Sequence, residues 1–289
     1  MEQSLPQSNM LRSSRNWLVI LDYVFYACIP AALVGLGFYF YHYRNSVNLY
    51  FPVFLGGAGL TIGISVMSMI LATVFGFVGA LGRLSRFPLF RFLASVYVEV
   101  IRGTPILVQL FVWGFGLRSV LTVAGFDPYV IAYNFMTTIQ SNSLMPAPDF
   151  FDAAFYGIVG LSFNYGAYLT EVFRAGIETV PIGQTEAALS LGLNSRHIMR
   201  RIVLPQAFRI TIPPFTNYFI TLVQDSALLS VIGGVLELQQ LVTAAASANA
   251  SDFNLALFFY VFGAIMFFCI CYPLAILARY LESRFAKAY

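Results

Sequence analysis

The chain has 289 residues, of which 59% are hydrophobic and only 10% charged, with a formal net charge of +3. A soluble domain carries about 25% charged residues, so this composition excludes a surface wetted all round and leaves most of it to face lipid. The apolar runs are continuous and far longer than the ~10 residues of a barrel strand, which argues against a β-barrel, and the weak net charge argues against a nucleic-acid binder.

In chain order, residues 1–16 are polar and the run 17–40 follows. That run exceeds the roughly 7–15 apolar residues of a signal-peptide core, so it is expected to stay as an uncleaved span. Further stretches near 53–82, 92–117, 151–175, 210–233 and 255–278 each reach the ~20 residues a membrane crossing needs. The expectation is an all-α integral membrane fold of six transmembrane helices. Residues 1–52 would form an N-terminal tail and first helix, and residues 53–289 the core. The second stretch is too long to cross upright and must tilt, kink or project. Gly103 and Pro105 in the third stretch, and Pro213 and Pro214 in the fifth, predict bends or breaks, because each proline removes a backbone donor and clashes with the preceding turn. Cys28, Cys269 and Cys271 lie inside apolar runs and are expected to pack as small apolar side chains. Only two histidines exist, so no metal site is expected.

Of the 16 Lys and Arg residues, 13 fall on one side of these spans: Arg12, Arg15, Arg83, Arg86, Arg91, Arg174, Arg196, Arg200, Arg201, Arg209, Arg279, Arg284 and Lys287. The other side has Arg44 and Arg118, and Arg102 lies within the third span. The positive-inside rule then puts both termini in the cytoplasm. Two connections are long. Residues 118–150 would face outward as an extracytoplasmic insertion, and residues 176–209 would face inward.

The inward connection carries a pattern. Ile182, Ala187, Ala188 and Leu191 recur near helical spacing, with Gly183 or Thr185 as possible helix starts. Gly192 suits a helix end with a left-handed backbone. Asn194 or Ser195 can cap a second helix in which Ile198 and Ile202 share a face, ringed by Arg196, Arg200 and Arg201. Pro205 suits a break before the next span. This describes a helix-turn-helix with an apolar anchor and a presented turn. By chemistry alone it equally describes a basic amphipathic connector resting on headgroups.

The spacing Glu186-Ala187-Ala188, Gly192, then Ile202, Leu204 and Pro205, resembles the EAA loop of ABC importer permeases. The run from Glu99 through Arg102, Gly103, Thr104 and Pro105 to Gln109 is similar to the third-span signature of polar amino-acid permeases. So are Tyr168 to Gly176 and Leu204 to Arg209. The resemblance covers roughly residues 56–284, apart from the outward insertion. It implies a five-helix permease core plus one N-terminal helix, in a bacterial cytoplasmic membrane. It further implies a cytoplasmic ATPase dimer docked on Glu186, Ala187, Ala188 and Gly192, with Arg196, Arg200 and Arg201 as further contacts. A second permease subunit, identical or homologous, and an extracytoplasmic amino-acid-binding protein would complete the assembly. Where many relatives place a lysine before the fifth-span acid, this chain has Gln224, then Asp225 and Ser226.

Ionisable groups at bilayer depth normally face protein, water or a partner. Glu99 and Arg102 are three residues apart and can pair on one helix face; pathway lining is the alternative. Asp225 either lines the pathway or bonds to a neighbouring span. Glu99, Arg102, Gln109, Gln224, Asp225 and Ser226 are therefore the candidate pathway residues. A phosphate-binding loop needs a Gly-Lys-Ser/Thr turn, and the only lysine is Lys287. The chain is thus expected to hold no cofactor or catalytic residue of its own, with ATP and Mg bound by the partner ATPase.

Overall fold

The computed structural model describes residues 28–138 and 148–286, and among these every regular element is helical. The chain divides into two compact units, one ending at Pro52 and one beginning at Val53. In the N-terminal unit, the described part opens with α1, Cys28–His42. Near its end Tyr39 and Tyr43 meet edge to face at 5.3 Å, and the Arg44 guanidinium lies over the Tyr41 ring at 5.1 Å. Polar and aromatic side chains of this kind suit a membrane interface. The first part of the run 17–40 lies outside the described residues.

The long second stretch is a single helix, α2, Arg44–Arg83, 40 residues and therefore about 60 Å long. That is about twice a ~30 Å hydrocarbon core. The third stretch is broken. Helix α3, Pro88–Arg102, ends at Gly103; α4, Ile106–Phe111, restarts beyond Pro105 and continues through a π-helical segment, Val112–Leu117, into α5, Arg118–Val123. In the connection 118–150, a turn follows α5, and Asp127 accepts from the Tyr129 amide at 2.9 Å at the start of α6, Pro128–Thr138.

Helix α7, Pro148–Glu178, is the central strut. The remaining order is α8, Ile182–Ser190; α9, Ser195–Ile198; α10, Leu204–Asp225; a 3-10 turn, Ser226–Val231; α11, Leu238–Ala248; and α12, Phe253–Ala286. Pro213 and Pro214 do not break α10. The Thr216 hydroxyl back-bonds to the Pro213 carbonyl at 2.8 Å within the same turn. Among the described residues, Arg44–Arg83, Ile106–Val123 and Phe253–Phe285 are long and apolar enough to cross a membrane. Helices α7 and α10 have the length but carry buried polar residues that face protein rather than lipid, among them Ser162, Asn164, Thr170 and Thr211.

Helix α7 packs against α3, α4 and α10, and α10 packs against α12. Close approach of α2 to α7 depends on missing side chains: a Cβ on Gly76 would fall 2.6 Å from Leu169 Cβ. Small residues at helix contacts are the usual solution in lipid, where dispersion and close packing replace the hydrophobic drive. The element that sequence reading missed is α11. Buried Glu237 caps it, accepting from the Gln239 and Gln240 amides, both at 2.7 Å, while Thr61 of α2 accepts from the Leu238 amide at 3.1 Å.

Gly76→Leu is expected to lower stability by about 1–3 kcal/mol through overpacking against Leu169. Gly63→Leu, which faces open space, should change it by less than about 0.5 kcal/mol. Thermal unfolding of both variants in detergent checks the difference.

Candidate functional site

Two sites emerge, one at the arginine-rich end and one in the middle of the helices. The first is the helix-turn-helix. Pro181 stands at the N-cap of α8, and the helix starts at Ile182, earlier than either Gly183 or Thr185. Its end is a Schellman closure: the Leu193 amide donates to the Ala188 carbonyl at 3.1 Å, and Gly192 sits at φ +78°. Asn194 then caps α9, its side chain accepting from the His197 amide at 2.9 Å. Pro205 does not break the chain here. A π-helical segment, Met199–Val203, leads directly into α10, whose first turn contains Pro205. The wider π spacing relieves the proline's missing N–H and its clash with the preceding turn.

The apolar anchor differs from the expected stripe. Val180, Ala188, Ile198, Val203 and Ala207 form its core, whereas Ile182 is 74% and Leu191 82% exposed. Ala187 is exposed as well, because α8 is held through one residue and its other faces point outward. Glu186, Gly192, Arg196, Arg200 and Arg201 are all exposed, and the Glu186 side chain has no bonded partner among the described residues. The result is a rigid turn that presents apolar and charged side chains together.

The second site is a cleft of about 470 Å³ at the break between α3 and α4. Arg102, Gly103, Thr104, Asn164, Tyr165 and Tyr168 line one side, and Tyr218, Thr221 and Asp225 the other. The last three share one face of α10 by their spacing of three and four. Asp225 accepts from the Tyr165 hydroxyl at 2.6 Å, so it both bonds to a neighbouring helix and lines the cleft. The Arg102 guanidinium lies over the Tyr168 ring at 5.3 Å, a cation–π arrangement. No Glu99–Arg102 pair forms among the described residues. Glu99 instead lies 3.9 Å from Arg83, which is also 3.5 Å from Glu171, because α3 ends at Arg102 and turns that side chain toward α7. Gln109 is buried behind the cleft: its amide nitrogen reaches the carbonyls of Ile101 at 2.7 Å and Thr104 at 3.0 Å, and its oxygen accepts from Asn164 at 3.0 Å. Ser226 is buried on the Val223 carbonyl, and Gln224 is exposed on the side of α10 near Cys271.

Of the six candidate pathway residues, then, Arg102 and Asp225 meet in the cleft. Asn164, Tyr165, Tyr168, Tyr218 and Thr221 escaped sequence reading. A faint signal existed in the 218, 221 and 225 spacing, and in polar groups at 164, 165 and 168 of one apolar run.

Comparison with known proteins decides the family. Residues 72–287 match the model of the binding-protein-dependent transport system inner membrane component. The chain belongs to that family. It is the membrane permease subunit of an ABC importer, as the inward motif implied. It is 33% identical over 235 residues to the L-cystine transport system permease of Bacillus subtilis, covering 81% of this chain and 87% of that one. An arginine transport system permease from the same organism is 34% identical, over 70% of this chain and 79% of that one. A crystal structure of an amino acid ABC transporter with histidines superposes with a TM-score of 0.63 at 30% identity, covering 83% of this permease and 97% of that chain. The inward-facing MetNI methionine ABC transporter shares the fold at a TM-score of 0.56 and 21% identity, over 80% of this permease and 97% of that chain.

Asn194→Ala in this permease is expected to cost about 1 kcal/mol of local helix stability. Amide hydrogen exchange at Ser195–Ile198 should then speed up roughly fivefold, with exchange in α7 unchanged.

Proposed function

We propose that this permease carries a polar amino acid or close analogue across the bacterial cytoplasmic membrane, as one half of a permease pair driven by two cytoplasmic ATPase subunits. The observation that carries this reading is the presented turn at Gly192. A left-handed glycine closes α8, an asparagine starts α9, and Glu186 and Leu191 stand free on the outside. A rigid, half-apolar and half-charged knob of this kind suits docking into a protein groove better than resting on headgroups, where its acid would be repelled.

Both termini and the helix-turn-helix face the cytoplasm, in keeping with the 13 basic residues on that side. An extracytoplasmic binding protein delivers the solute to the opposite face. ATP and Mg bind in the partner ATPase, whose closure pushes on α8; the uninterrupted α10 passes that displacement to Tyr218, Thr221 and Asp225. Arg102 and Asp225 offer one cation and one anion to a zwitterion, and the tyrosines supply apolar and hydroxyl contacts. Relatives named for cystine, glutamine and arginine transport support an amino acid as cargo while pointing to no single side chain.

The test is uptake of labelled amino acids into vesicles containing the permease with its ATPase and binding protein. Glu186→Lys and Gly192→Asp should each cut ATP-driven uptake by about tenfold or more, through charge reversal and turn strain at the docking face. Full uptake by both variants, driven by a proton or sodium gradient alone, would contradict the proposal and favour a secondary transporter.

A further inference from the structure

A second cavity lies apart from the polar cleft. It is a groove of about 700 Å³ between α2 and α10, with Phe173 of α7 and Phe285 of α12 among its walls and Arg209 at its rim. Beyond Thr73 it continues as a shallower hollow of about 190 Å³ at Val66, Phe215 and Phe219. The lining is almost wholly apolar. Its two hydroxyls are already committed, Thr73 to the Met69 carbonyl at 2.7 Å and Thr211 to the Phe208 carbonyl at 3.0 Å. Such walls offer nothing to an amino acid or a free phosphate.

Arg209 is the exception. It is exposed and has no ion pair or hydrogen bond among the described residues. From Arg209 to Phe219 the groove follows α10 for about 15 Å, which is half of a ~30 Å hydrocarbon core, the depth of one leaflet. We propose that the groove holds an acyl chain of an anionic phospholipid from the cytoplasmic leaflet, with the headgroup phosphate on the Arg209 guanidinium. The leaflet assignment rests on the orientation given under the proposed function. Basic pockets between spans on that face are where anionic headgroups are favoured, and a planar guanidinium matches a phosphate's paired oxygens. The lipid would then brace the start of α10 against α2, between the docking turn and the cleft.

Native mass spectrometry and lipid extraction of the purified permease–ATPase complex test this. The wild type should retain phosphatidylglycerol or another anionic phospholipid in preference to a zwitterionic one. Arg209→Gln should lower the anionic lipid about fivefold, from loss of one favourable basic contact, with zwitterionic lipid unchanged. Thr73→Trp, which fills the groove, should displace both. Equal lipid content in all three proteins would overturn the proposal. So would an efficient cross-link between two permease copies carrying Thr73→Cys or Ile212→Cys, which would show a second copy covering the groove. Vesicle uptake is read in parallel: transport without bound lipid removes only the lipid site, and bound lipid without ATP-driven transport removes only the functional reading.

Discussion

Lipid offers no hydrogen bond to a free backbone carbonyl, so a break in a spanning helix must be satisfied by protein or by a watered cavity. The break at Gly103, Thr104 and Pro105 is the place where this constraint shapes the permease. Pro105 donates nothing, and the carbonyls of Ile101 and Thr104 would be orphaned. Gln109, buried one turn into the restarted helix, reaches back to both, and Asn164 of α7 holds the Gln109 amide in turn. An unsatisfied buried polar group costs about 1–3 kcal/mol, so this small network is what makes an interrupted third span tolerable. The interruption stops α3 at Arg102 and leaves a cleft opposite the polar face of α10. The cleft follows from the repaired break.

The helix-turn-helix and the cleft are linked by continuous helix. Val203, at the end of the π-helical segment, and Ala207, in the first turn of α10, belong to the same small core as Ala188 and Ile198 of the helix-turn-helix. The helix then runs without interruption to Asp225, despite two prolines. Ala207 of that small core and Tyr218, Thr221 and Asp225 therefore stand on one unbroken helix. The 3-10 turn and the two left-handed glycines, Gly233 and Gly234, come only after the cleft residues.

Much of this was legible in the sequence, and what was not has physical reasons. Hydropathy gave the long helices but not α11, since lipid imposes continuous apolar runs only where a helix spans. Charge asymmetry and the Gly192 and Asn194 pattern marked the helix-turn-helix, because helix ends have local chemistry. The break after α3 was legible from Pro105, but the equally proline-rich α10 stayed whole, so a proline's presence alone does not separate the two cases. The Glu99–Arg102 pair failed for a related reason: spacing permits a contact, but Tyr168 and Arg83, distant in sequence, decide where each side chain goes. Gln109 read as a pathway residue from its place at the end of the third-span signature, which does not say whether its partner is solute or backbone. The tyrosines were hidden among 17 tyrosines and 29 phenylalanines.

The central claim is that the cleft behind the repaired break is the solute's path. Its most direct test is solvent access at Thr221, in a background with Cys28, Cys269 and Cys271 replaced. With Thr221→Cys in the assembled transporter, a membrane-impermeant thiol reagent should label the new cysteine during ATP turnover, and transported amino acid should protect it. Absence of labelling under turnover, or labelling indifferent to solute while uptake proceeds, would contradict the claim and place the path elsewhere.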